Sequence, residues 1–108
     1  MARKSPGEMS RFRLTSKAVA YLSEIWSFIA QESPEAADRV EQAIYRACEL
    51  LSESPLAGRF RKDLTSLPVR FWLVRPYHTY FIVYDSEPRP LLVIRILHVA
   101  RDIPAILR

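Results

Sequence analysis

A chain of 108 residues, 49% hydrophobic and 26% charged with only two glycines, has room for one apolar core and excludes a disordered or linker-built protein. Sixteen Lys and Arg against twelve Asp and Glu leave a formal net charge of +4, which favours an acidic partner, protein or nucleic acid alike. The one cysteine, Cys48, excludes an internal disulfide and lacks the paired spacing of a zinc site, so it reads as a small core residue of a reducing cytoplasm, and neither metal nor cofactor is expected.

Met1 to Ser10 carries charge without an apolar run, so it is read as a flexible segment and not as a secretory signal, with residues 11–108 forming one domain. No stretch approaches the roughly 20 apolar residues of a membrane span. Arg11 to Leu14 alternates charged and apolar side chains as an edge strand does, and Thr15 or Ser16 then offers an oxygen to cap a helix. From Lys17 the period changes. Ala18, Leu22, Ile25 and Ile29 share one helical stripe with Val19 and Trp26 beside them, while Lys17, Glu24, Ser27 and Gln31 fall opposite.

Glu32-Ser33-Pro34 ends that helix and begins the next, because proline disfavours helical geometry in the residue before it yet suits a first helical position, with Ser33 as cap. The second stripe runs Ala37, Val40, Ile44, Ala47 and Leu51, and its alanines let the first helix approach closely in an antiparallel hairpin. Ser54 to Pro68 holds turn residues with Arg59, Arg61 and Lys62 and reads as a loop, long enough to hint at function. Three strands follow, Val69 to Val74, Thr79 to Tyr84 and Leu91 to His98, spaced as a meander of hairpins. The expected fold is a two-layer α+β domain, β-α-α-β-β-β, with the helical hairpin on one face of a mainly antiparallel four-stranded sheet.

A hairpin covers only one face, yet both faces of these strands are apolar or aromatic: Phe81 and Val83 alternate with Tyr80, Ile82 and Tyr84. The second face is closed by the C-terminal tail or a second copy, or it is a patch for a partner chain, with Trp72 the first-choice anchor.

Four segments in order, LTSKAVAYLSEIWSFIAQESPEAADR (14–39), SPLAGR (54–59), YFIVY (80–84) and IRILHVARD (94–102), give the chain a resemblance to the RelE/ParE toxin superfamily of bacterial toxin-antitoxin systems, in its ParE-like branch. The resemblance implies the same fold with the first strand beside the last. It implies a hetero-oligomer with a cognate antitoxin, ParD-like and of ribbon-helix-helix type, whose contacts are assigned to Trp26, Arg70, Trp72, Tyr80 and Tyr84. Within the superfamily the ParE-like branch inhibits DNA gyrase, whereas the RelE-like branch cleaves mRNA on the ribosome. His98, Arg101 and Asp102 match the ParE-like ending.

RNA cleavage by the neighbouring 2′-hydroxyl needs a general base, a general acid and cations converging on one phosphate. Arg59, Arg61, Arg70, Arg75 and Arg101 supply cations in abundance, but His78 and His98 are the only ordinary candidates for proton transfer, and neither has an evident partner. The expectation is therefore a gyrase inhibitor without enzymatic chemistry. An mRNA endonuclease built from His98, Arg101, Arg59, Arg61 and His78, or an inactive binding module, stands as the alternative.

Overall fold

A computed structural model describes residues 11–107, so the expectation for Met1 to Ser10 lies outside the described residues. The elements are β1 (Phe12–Leu14), α1 (Ser16–Ala30), α2 (Pro34–Glu53), β2 (Arg59–Phe60), β3 (Arg70–Leu73), β4 (Tyr80–Asp85), β5 (Leu91–His98) and α3 (Ile103–Ile106). The α+β class and the two-layer arrangement hold, and the sheet runs β1-β5-β4-β3-β2 with β1 parallel to β5 and every other pair antiparallel.

Local chemistry sets the helix ends. Thr15 accepts the Ala18 N–H at 3.1 Å and donates its hydroxyl to the Ile94 carbonyl at 2.6 Å, so one side chain both caps α1 and ties it to β5. Ser33 accepts the Ala36 N–H at 3.1 Å with Pro34 opening α2. The two helices pack on each other, and α1 lies chiefly over β5 and β1. Ala18, Leu22, Ala43, Ile44, Ala47, Cys48 and Leu51 bury against Ile82, Tyr84, Leu91, Val93 and Ile96. Cys48 is enclosed there, and burial, with the charge of Glu49 adding to it, pushes its thiol up to about 12.

Two elements depart from the expected order. Arg59–Phe60 form a fifth strand at the edge of the sheet, where a loop was expected, pairing Arg59 with Phe71 and Phe60 with Arg70. Two residues are too short to display any period, which is why the pattern of the sequence does not reveal them. After β5 the chain turns into α3, with Asp102 accepting the Ala105 N–H at 3.4 Å. Ile103 and Leu107 are buried against Val69, Phe71, Val83 and Leu97, with Leu64 and Phe81 packed at the margin. The C-terminal tail thus covers the second face of the sheet, and the free apolar patch expected there is replaced by core.

Candidate functional site

Strand alternation sorts the candidate side chains onto two faces. Tyr80 pairs with His98, Ile82 with Trp72 and Tyr84 with Arg70, which places these residues on the helical face. Phe81 pairs with Leu97, and Arg59 pairs with Phe71, on the face that α3 covers. The guanidinium of Arg61 stands 6.0 Å from the Phe81 ring and so belongs to that second face as well.

His98 closes β5 half-buried, its ring edge-on to Tyr80 with centroids 5.6 Å apart. Its Nδ1 accepts the Ala100 N–H at 3.0 Å, so that ring nitrogen is engaged by the backbone just past the strand. Partial burial raises the Tyr80 hydroxyl above its ordinary value. Arg101 spreads its guanidinium 4.8 Å from the centre of the Tyr21 ring on α1, and Asp102 is occupied as the cap of α3. The ending of β5 therefore ties the tail to the body.

The cations of the loop are placed elsewhere. Arg61 is held by two hydrogen bonds to Asp63, at 2.9 and 2.8 Å, which lower the aspartate and raise the arginine. Arg59 lies on β2, three strands from β5, and at a strand spacing of about 4.8 Å that separates it from His98 by roughly 14 Å of sheet. His78 sits exposed in the turn before β4, at the same end of the sheet as His98. His98 and Tyr80 meet, while Arg59 and Arg61 do not join them.

The expected partner-binding residues divide similarly. Tyr84 is wholly buried, its hydroxyl donating to the Pro55 carbonyl at 2.6 Å and accepting the Gly58 N–H at 2.8 Å. Burial raises its hydroxyl above the ordinary phenol value. Arg70 donates to the Gly58 carbonyl at 2.9 Å and to Ser86 Oγ at 3.3 Å, with its guanidinium 4.2 Å from the Phe60 ring. Trp72 and Tyr80 are half-buried against the main core. Trp26 alone of the five lies on the hairpin, where its Nε1 donates to Asp38 at 2.9 Å and so bridges α1 to α2.

Trp26 also lines a groove of about 380 Å³ between the helices, walled by Val19, Leu22, Asp38, Glu41 and Tyr45. Val19 is 52% exposed, a β-branched apolar side chain left on the surface of the hairpin. Leu56 at 71% and Phe60 at 47% are exposed at the other side of the molecule, beside Arg59. Val19 was expected only beside the core stripe, and Leu56 and Phe60 fell within the stretch expected to be a loop, so the sequence singled out none of the three. Among the described residues no group of His, Cys, Asp and Glu is arranged to hold a metal ion, and no helix is long and apolar enough to cross a membrane.

Comparison with known proteins agrees with this architecture. A chain from the chromosomal ParDE TA system of P. aeruginosa superimposes with a TM-score of 0.67 at 22% identity, covering 84% of this chain and 97% of its own. No curated protein matches the sequence. The family model described as the ParE toxin of type II toxin-antitoxin system, parDE, matches residues 12–103, from β1 into α3. On that span the chain belongs to the ParE toxin family, the toxin half of a type II toxin-antitoxin system whose other half is an antitoxin.

Proposed function

We propose that this toxin acts on DNA gyrase by a protein contact, cutting no bond itself, and that a ParD-like antitoxin of ribbon-helix-helix type docks on the helical hairpin. The observation that carries the reading is the separation of His98 from Arg59 and Arg61. One phosphate cannot be clamped by cations on the far edge and opposite face of the sheet while a histidine at the end of β5 moves its proton. His98 and Arg101 are instead engaged by Ala100 and Tyr21, contacts that shape the surface and anchor the tail.

For the antitoxin, the hairpin groove combines Val19, Trp26 and Tyr45 with the carboxylates of Asp38 and Glu41, which suits an amphipathic helix laid with its apolar side inward. Inducible expression with and without the antitoxin tests the target. DNA breaks and altered plasmid topology with intact mRNA are expected. Ribosome-bound mRNA cut while DNA stays whole overturns the reading in favour of an endonuclease, and a chain that harms neither is an inactive module.

A further inference from the structure

We infer that the outer edge of β2 is the surface with which this toxin grips its target, by taking an extended segment of the target protein whose side chains alternate between apolar and acidic. The assignment rests on the gyrase reading above and names the site of that contact.

β2 ends the sheet: among the described residues its far side has no strand to pair with, and an unpaired strand edge is a template for another chain. The edge offers different chemistry above and below. Phe60 shares the face of Arg70, and its ring is half exposed. Arg59 shares the face of Phe71, where Arg61 also stands but is already paired with Asp63, so Arg59 is the cation the edge offers on that face. A strand added to this edge carries its side chains alternately onto the two faces. Apolar side chains on one face meet Phe60 and carboxylates on the other meet Arg59, so an alternating apolar and acidic segment satisfies both at once.

The surface is also built in advance. The turn before β2 is pinned from inside by Tyr84, which bonds both Pro55 and Gly58, and by Arg70, which bonds Gly58 from the other side. Gly58 allows this closeness, since a Cβ there would stand 2.6 Å from the Tyr84 hydroxyl oxygen and 2.9 Å from the Phe71 carbonyl oxygen. Leu56 and Phe60 are thereby held out in water on a fixed frame. Ordering such a surface costs little on binding, and apolar side chains kept rigid and exposed are the anchors that a folded partner uses.

The chemistry of the edge narrows the occupant. A nucleic-acid strand would neutralise Arg59 and Lys62 but leave Leu56 without a partner, and one side of the Phe60 ring is already taken by the Arg70 guanidinium at 4.2 Å. The antitoxin is assigned to the hairpin groove, whose wall carries the carboxylates of Asp38 and Glu41 where the edge carries the guanidinium of Arg59. Side chains of opposite charge suit different partners.

The test uses toxin purified from its antitoxin complex, with gyrase supercoiling and antitoxin affinity measured on wild type, Arg59→Glu and Phe60→Ser. Both positions are exposed, and thermal unfolding of each variant checks the fold. The toxin concentration for half-inhibition of gyrase is expected to rise roughly tenfold or more in each variant, while the antitoxin dissociation constant and unfolding midpoint stay at the wild-type values. Unchanged inhibition by folded variants overturns the assignment alone. Weakened antitoxin binding with inhibition intact overturns it too, by giving the edge to the antitoxin. A wild-type toxin that leaves gyrase untouched removes the gyrase reading itself.

Discussion

Tyr84 and Gly58 act as one unit, which makes their substitutions informative in different ways. Tyr84→Phe removes the hydroxyl and leaves the Gly58 N–H and Pro55 carbonyl without it in a buried setting, a loss of about 1–3 kcal/mol by denaturant unfolding. Gly58→Ala must push a Cβ into the Tyr84 ring and the Phe71 backbone, and a clash against backbone does not relax by rotamer change. It is expected to destabilise by roughly 1–3 kcal/mol as overpacking does. Cys48 gives a pH signature. Its thiol is held up to about 12 in the folded chain against an ordinary 9.0, so above pH 9 the unfolded chain sheds a proton that the folded one keeps. Stability present below pH 9 therefore falls as pH rises toward 12, by at most about 1.4 kcal/mol per unit. Cys48→Ala should flatten that part of the pH profile of unfolding relative to wild type. At this scale the caps were legible, because Thr15 and Ser33 act within three residues of themselves. The role of Tyr84 was not, because alternation names a face but not what is packed upon it.

Among the elements, the hairpin and the three long strands declare themselves by period, whereas β2, at two residues, and α3, at four, span only about one period each and are held in place by tertiary contact. A local sign of α3 did exist: Asp102 followed by Pro104 is a cap-and-proline pair of the kind that opened α2 at Ser33-Pro34. Its four residues could not persist alone in water, since short isolated helices are marginal. What keeps it is burial of Ile103 and Leu107 on the sheet. Ending the chain after Asp102 uncovers Phe71, Val83 and Leu97, and the loss of two large buried side chains is worth about 3–6 kcal/mol. The shortened protein should unfold at lower denaturant and bind a hydrophobic dye that the intact one ignores. If stability survives the truncation unchanged, α3 is not the cover of that face.

At the scale of the molecule, a net charge of +4 pointed to one acidic partner, but the charge is not evenly spread. Arg59 and Lys62 lie exposed in and just after β2, with Arg61 between them paired to Asp63, while Asp38 and Glu41 flank the groove on the hairpin, which lies over β5 and β1 at the other side of the sheet. The total conceals this, because only the order of strands tells which charges end up together. Contacts this far apart share no side chains, and such sites combine their effects additively to within about 0.5 kcal/mol. Val19→Asp places a carboxylate on the apolar rim of an already acidic groove and should weaken the antitoxin at least tenfold. Joined to Arg59→Glu, it should give a toxin that is released from its antitoxin as readily as the Val19 variant and is as feeble against gyrase as the Arg59 variant. Measuring both affinities on the single and double variants decides the matter: a double variant whose loss for either partner departs from the matching single one by more than the additive margin shows that groove and edge are one continuous interface, wrapped by the same chain.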